Sequence, residues 1–256
     1  MKVKTIAEFL ESNQNPEILF WIGCAGSYDD RYKKVTKAFV RILNKLDINF
    51  AILGDEEGCT GDPARRAGNE YLFQMQAMNN IETLNKYKIE KIVTMCPHCF
   101  NTIKNEYPEL GGNYEVIHHT EFLNELIKNG KLTSEKTNIK MTYHDSCYLG
   151  RGNKIYEAPR KIINTITDNL VEMKRAKENG LCCGAGGSQI FKESEAGKVE
   201  INIERIMDVE EVNPQTLVAA CPFCMTMMND GIKEKNLNSK IEVKDITEII
   251  EENLKE

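Results

Sequence analysis

Thr216-Leu-Val-Ala-Ala-Cys-Pro-Phe-Cys224 and, 125 residues earlier, Lys91-Ile-Val-Thr-Met-Cys-Pro-His-Cys99 carry the information that decides the fold. Each begins with a short apolar and β-branched run, the composition of a buried strand. Each then breaks at Cys-Pro, and proline, with its fixed φ and missing N–H, favours the first position of a helix. Both stretches therefore read as strand, cysteine, helix. Working outward, Cys24 lies 35 residues before Cys59, which lies 37 before Cys96. Cys147 lies 36 before Cys183, which lies 38 before Cys221. Past the cysteines, Thr120-Glu-Phe-Leu falls on Thr247-Glu-Ile-Ile. A duplication of about 125 residues explains the register. It divides the chain into a first repeat, 1–130, and a second, 139–256, with polar 131–138 as linker.

The surrounding pattern gives the class. Apolar or β-branched runs at 18–22, 51–53, 91–95 and 114–117 predict strands, and helical periodicity fills 30–46, 65–87, 97–106 and 121–128. Strands at 139–144, 170–173, 216–220 and 240–243 are predicted for the second repeat. Alternation of this kind predicts an α/β protein of two tandem, duplicated Rossmann-like halves, each a small parallel sheet flanked by helices. Cysteines on the loops after the strands then gather at one sheet edge, where ligands of such sheets bind.

Composition bounds what those cysteines do. The 256 residues hold 33 Lys and Arg against 39 Asp and Glu, a net charge of −6 that lacks the basic excess of a nucleic-acid-binding domain. No apolar run reaches the roughly 18 residues of a membrane span. Glu8 and Glu11 interrupt the opening segment where a secretory signal would need an apolar core. The chain is thus expected in the cytoplasm, where its nine cysteines point to metal or redox chemistry rather than to disulfides.

Five of them, Cys147, Cys182, Cys183, Cys221 and Cys224, are expected to meet in the second half, and Cys24, Cys59, Cys96 and Cys99 in the first. Leu181-Cys-Cys-Gly184 faces Gly58-Cys-Thr-Gly61, and Gly58 reads as the replacement of one tandem cysteine. Four thiolates suit zinc or an iron–sulfur cluster. Five exceed what tetrahedral zinc accepts, and adjacent Cys182 and Cys183 can hold two neighbouring irons. Gly184, Gly186 and Gly187 let backbone N–H groups approach bridging sulfides. Cys96-Pro-His-Cys99 also resembles a thioredoxin-type redox loop, but its recurrence in register favours ligation.

His98 and His144, beside cysteines, are candidate catalytic residues able to donate to sulfur, shuttle a proton or ligate metal. His118 and His119 read as a structural helix entry. Arg65, Arg66 and Arg151 read as counter-charges or ordinary ion pairs, Met225, Met227 and Met228 as core, and the acidic run 248–256 as a solvated helix face.

The pattern Cys147-x34-Cys182-Cys183-Gly184-x36-Cys221-Pro-x-Cys224 resembles the duplicated cysteine-rich CCG domain of heterodisulfide reductase B- and D-type proteins and related iron–sulfur oxidoreductases. Trp21-Ile-Gly-Cys-Ala-Gly-Ser-Tyr28, Gly58-Cys-Thr-Gly-Asp-Pro-Ala-Arg-Arg-Ala-Gly-Asn69 and Tyr143-His-Asp-Ser-Cys-Tyr-Leu-Gly150 extend the resemblance over nearly the whole chain. It implies a non-cubane [4Fe-4S] cluster on Cys147, Cys182, Cys183, Cys221 and Cys224. For the first half, which departs from the pattern at Gly58, it implies a simpler cluster, zinc or reactive thiols. The implied function is an electron-transfer subunit exchanging electrons with a disulfide, a quinone or a flavoprotein; the alternatives are a catalytic heterodisulfide reductase subunit and a redox-inactive zinc scaffold. Ferredoxin-like segments and membrane helices found in many relatives do not occur in this sequence. The resemblance therefore implies a ferredoxin-type iron–sulfur partner, with a membrane or flavoprotein subunit, and a place at the inner membrane through it.

Overall fold

A computed structural model describes residues 3–193 and 196–255. The first two residues of the opening segment and Glu256, the end of the acidic run, lie outside them. The chain divides into two compact units, Met1–Phe122 and Leu123–Glu256.

In the first unit, β1 (Lys4–Thr5), β2 (Ile18–Trp21), β3 (Phe50–Ile52), β4 (Lys91–Thr94) and β5 (Glu115–His118) form one sheet in the order β1-β3-β2-β4-β5. Every pairing is parallel. β2 is buried along its length, as a strand covered on both faces must be. The covering helices are α1 (Ile6–Glu11), α2 (Gly23–Tyr28), α3 (Tyr32–Lys45), α4 (Asp62–Arg66), α5 (Glu70–Lys86) and α6 (Pro97–Asn101). α3 buries Val35, Phe39, Ile42 and Leu43 at helical spacing, and Phe39 meets Phe20 of β2 edge-on with ring centroids 5.0 Å apart. Burial of such a side chain contributes about 1.5–3 kcal/mol.

The division between units falls within α7 (His119–Lys128). Residues 131–138, expected as a linker, are tied to the second unit: Glu135 N–H donates to Asn253 O at 2.8 Å and Thr137 N–H to Ile166 O at 2.7 Å. That unit contains β6 (Met141–Tyr143), β7 (Thr216–Ala219) and β8 (Glu242–Asp245), parallel and in that order. Around them stand α8 (Gly150–Asn153), α9 (Glu157–Ile166), α10 (Ile201–Val212), α11 (Pro222–Glu234) and α12 (Ile246–Asn253).

The strand predicted at 170–173 shrinks to one bridge, Leu170 to Met141. Beyond it the Thr142 hydroxyl takes the Val171 carbonyl at 2.7 Å and Glu172 turns to Arg160, so the ladder stops. That bridge still completes the likeness between sheets. With the two-residue β1 set aside, strand order in both units is second, first, third, fourth. The order reverses between β2 and β4 and between β6 and β7, so each unit has its crevice beyond those strand ends.

Two predicted helices are also divided. Gly68 takes φ +83° and Asn69 caps the Leu72 N–H, splitting 65–87 into α4 and α5. The span 97–106 leaves α geometry after Asn101, with a wide turn over Thr102–Glu106 and a tight one over Tyr107–Leu110. Pro108 lacks the N–H a continuing helix would need; α11, without such a proline, runs 13 residues.

Candidate metal centres

In the second unit, Cys147 follows β6, Cys182 and Cys183 lie on the loop beyond the Leu170 bridge, and Cys221 follows β7 as the N-cap of α11. Their thiols form a chain of contacts: Cys147 with Cys182, Cys182 with Cys183, Cys183 with Cys224, and Cys224 with Cys221. All five expected ligands meet. The Cys182 sulfur accepts hydrogen bonds from Cys147 and Cys183 and from the Gly184 N–H at 3.3 Å, which lower its pKa; Cys147, donating to it, is raised. Cys182 is thus the thiol of this nest whose surroundings favour the thiolate, the form in which cysteine binds metal.

Four thiols meet likewise in the first unit. Cys24 contacts Cys59, Cys96 contacts Cys99, and the two pairs interact electrostatically. Cys59, accepting from Cys24, is lowered to about 6.

Several contacts recur between the two nests. Cys24 with Cys59 repeats Cys147 with Cys182, at one offset of 123 residues. The Gly61 N–H reaches the Cys59 sulfur as that of Gly184 reaches Cys182, and both glycines are left-handed, φ +89° and +96°. Cys59 and Cys182 are half-buried, whereas Thr60 and Cys183 are buried. Finally, the Thr60 hydroxyl donates to the Cys99 sulfur at 3.9 Å, the place of the Cys183 contact with Cys224. Residue 60, and not Gly58 as read from the sequence, is thus the counterpart of Cys183 in the first repeat. A Cβ at Gly58 would stand 2.8 Å from Asn80 Oδ1, so a larger residue there would have to displace the Asn80 side chain. Asn80 and Tyr107 instead pin this loop, with Asn80 Nδ2 donating to Cys59 O at 2.8 Å and Tyr107 Oη to Thr60 O at 3.1 Å.

Gly61 tests this loop. A Cβ at Gly61 would meet the Phe73 ring at 2.8 Å, and a left-handed backbone costs a non-glycine residue about 1–2 kcal/mol by itself. Gly61→Ala is expected to lower the stability of the first unit by at least about that amount, measured by urea unfolding.

His144 and His98 differ. One ring nitrogen of His144 lies within 4.8 Å of the Cys183 and Cys224 sulfurs. Its Nδ1 accepts from Arg205 Nε at 3.1 Å, so the proton sits on Nε2, and burial followed by the Arg205 charge pushes its pKa down to about 3. His98 instead pairs through Nδ1 with Asp62 Oδ2 at 2.8 Å, and Arg66 Nε adds a bond to Asp62 Oδ1 at 3.0 Å. Burial raises the Asp62 pKa, but these two partners outweigh it and hold the carboxyl below its ordinary value.

Arg65 and Arg66 are paired with Glu106, while Arg151 donates to Gly180 O at 3.2 Å. His118 bonds Thr120 Oγ1 at 2.8 Å, in keeping with a helix entry. Met225 and Met228 are core.

Three supports were not visible in the sequence. Glu57 clamps the two cysteine loops of the first unit, accepting from Ile22 N–H at 3.0 Å and Gly23 N–H at 2.5 Å; burial raises its pKa to about 7 against those bonds. Arg160 of α9 grips Asp145, just ahead of Cys147, with two bonds of 2.8 and 2.9 Å. Arg205 of α10, fully buried, holds His144. Each acts through a long-range contact that no local motif encodes.

The nest of the second unit fits a sulfur-bridged cluster. Ser146 Oγ beside Cys147 and Nη2 of Arg205 are buried donors with no partner among the described residues. Buried donors require acceptors, and cluster sulfides are acceptors.

The model of the cysteine-rich domain CCG matches residues 18–104 and again 141–229. The chain belongs to the CCG cysteine-rich domain family. Among CCG relatives, it is 46% identical over 247 residues to the EtfAB:quinone oxidoreductase of Syntrophomonas wolfei, covering 94% of this chain and 35% of that protein. It is 44% identical over 251 residues to the Bacillus subtilis protein named "Probable iron-sulfur-binding oxidoreductase FadF", covering 97% and 36%. A component of the dihydromethanophenazine:CoB–CoM heterodisulfide reductase of Methanosarcina barkeri is 38% identical over 252 residues, covering 93% and 59%. This CCG chain thus spans between about a third and three fifths of the length of these relatives. No helix among its described residues is long and apolar enough to cross a membrane.

Proposed function

We propose that this chain is the electron-transfer part of an iron–sulfur oxidoreductase. Its second half would hold a non-cubane [4Fe-4S] cluster through Cys147, Cys182, Cys183, Cys221 and Cys224. The observation that carries this reading is the unbroken chain of five thiols, one more than a tetrahedral zinc ion takes. When bound, such a cluster supplies one-electron chemistry. The protein's own residues set its surroundings: the Gly184 N–H donates to the Cys182 sulfur, and His144, kept neutral and in one tautomer by Arg205, offers an N–H without carrying charge. His98 holds Asp62 and so braces the first nest.

Electrons would pass to or from a quinone, a flavoprotein or a disulfide. The names of the relatives support this range, and their greater length supports further carriers. Those carriers would be a ferredoxin-type iron–sulfur subunit and a membrane or flavoprotein subunit; through them the cytoplasmic chain would sit at the inner membrane.

A specific observation favours the catalytic reading as second choice. A cavity of about 660 Å³ opens beside Gly184, between Gln189, Ile201, Asn202 and Met227, a size suited to a small ligand. A thiol-bearing substrate seated there would lie next to the residue that follows Cys183.

Anoxic reconstitution tests the proposal. Iron and sulfide near four per cluster, with the paramagnetic signature of a non-cubane centre, are expected. Stoichiometric zinc without iron overturns it. Turnover of a disulfide by the isolated chain with a chemical reductant would select the catalytic reading over the carrier.

A further inference from the structure

We propose that Thr60 sets the type of centre in the first half: it occupies a ligand position with a hydroxyl and so converts a five-thiolate site into a four-thiolate one. The inference deepens the functional reading above and rests on it for the second nest, which serves as internal reference.

Four observations place residue 60 at a ligand position. It immediately precedes a left-handed glycine, Gly61, as Cys183 precedes Gly184. It is buried, 2% exposed, as Cys183 is at 4%. Its Oγ1 reaches the sulfur of the last cysteine of its repeat, Cys99, as the Cys183 sulfur reaches Cys224. Its N-terminal neighbour, Cys59, makes the contacts of Cys182 on both sides: a thiol of the first loop and the N–H of the glycine.

A neutral threonine hydroxyl is a poor ligand for a soft, thiophilic metal but a competent hydrogen-bond donor to thiolate sulfur. The first nest is therefore a closed set of four thiolates, Cys24, Cys59, Cys96 and Cys99, with the O–H of Thr60 directed at Cys99. Four thiolates complete the shell of a cubane cluster or of a tetrahedral zinc ion, the two occupants of this one ligand chemistry. The loop is locked in that state, because Tyr107 holds Thr60 O and Asn80 holds Cys59 O.

Two experiments on the full chain test the assignment without reference to activity. In anoxically reconstituted Thr60→Cys, the non-cubane signal per chain is expected to double. Cys183→Thr, the reverse exchange, is expected to abolish it while leaving a four-thiolate centre in the second nest. Iron against zinc content names the occupant of the native first nest. A Thr60→Cys chain that folds normally by circular dichroism yet shows only the unaltered intensity overturns the proposal. The second experiment needs no cluster. With the second nest silenced by serines at Cys147, Cys182, Cys183, Cys221 and Cys224, the metal-free chain is titrated with Co²⁺ and its tetrahedral thiolate bands recorded. Cys59→Ser is expected to weaken them, and adding Thr60→Cys to restore them; no restoration shows that residue 60 is not a ligand position. Failure of the functional reading looks different: the unaltered chain then gives no non-cubane signal, and the Co²⁺ rescue alone decides the role of Thr60.

Discussion

Cys183→Ser is expected to eliminate the non-cubane signal and to leave at most a four-thiolate centre in the second nest, while the first unit stays folded. Cys183 stands in the middle of the sulfur chain, touching both Cys182 and Cys224. A substitution at either end removes one contact; here both segments are separated. The site is buried, so water cannot take the place of the lost sulfur, and a serine oxygen is both harder and shorter than a thiolate. Iron content and electron paramagnetic resonance read the loss. The single tryptophan, Trp21, lies in the core of the first unit, so its fluorescence reports whether that unit remains intact. An unchanged resonance signal would count against the ligand assignment.

The largest stability effect is expected at Arg160. Its guanidinium, 4% exposed, bonds both oxygens of Asp145 and both of Glu172, with a fifth bond to Tyr156 O at 2.9 Å. Asp145 is buried and also accepts from the Lys177 N–H at 2.7 Å, joining the loop that leads to Cys147 to the segment before Cys182. Arg160→Ala leaves that carboxylate without its counter-charge, a loss of about 3–5 kcal/mol for a buried pair broken on one side. Urea unfolding followed by far-ultraviolet circular dichroism should show the second unit melting early, before the tryptophan of the first unit responds. Arg160→Met combined with Asp145→Asn should cost less than Arg160→Ala, because no buried charge is then stranded. Equal losses would mean that packing, not charge, is what Arg160 supplies.

Much of this architecture was legible in the chain because the chemistry is local. A strand ending at Cys-Pro fixes a thiol between a sheet edge and a helix start, and α/β alternation brings those edges together. The duplication doubled the signal, and the nine cysteines fell into the expected five and four. Some expectations went astray. Gly58 was read as the replaced cysteine by pairing Cys59 with Cys183, although Leu181-Cys-Cys-Gly184 laid on Gly58-Cys-Thr-Gly61 sets Thr60 against Cys183; the Thr60 hydroxyl on Cys99 and the left-handed Gly61 agree with that register. Leu170–Met173 has the composition of a strand but loses its ladder to Thr142 and Arg160. The first helix opens on a capping box, Thr5 with Glu8, a four-residue local signature that the reading of the sequence did not use.

The uneven cover of the thiols has a practical consequence. Cys24 and Cys59 in one unit, and Cys147 and Cys182 in the other, are partly open to solvent, while the Cys-Pro-x-Cys pairs and Cys183 are buried. Each nest thus has a sealed floor and an open rim, built from the same two positions in both repeats. Iron and sulfide arriving during maturation would meet the rim first, and so would oxygen. Oxidation in air should therefore reach those four rim cysteines before the five buried ones, an order that mass spectrometry of thiol modification reads directly.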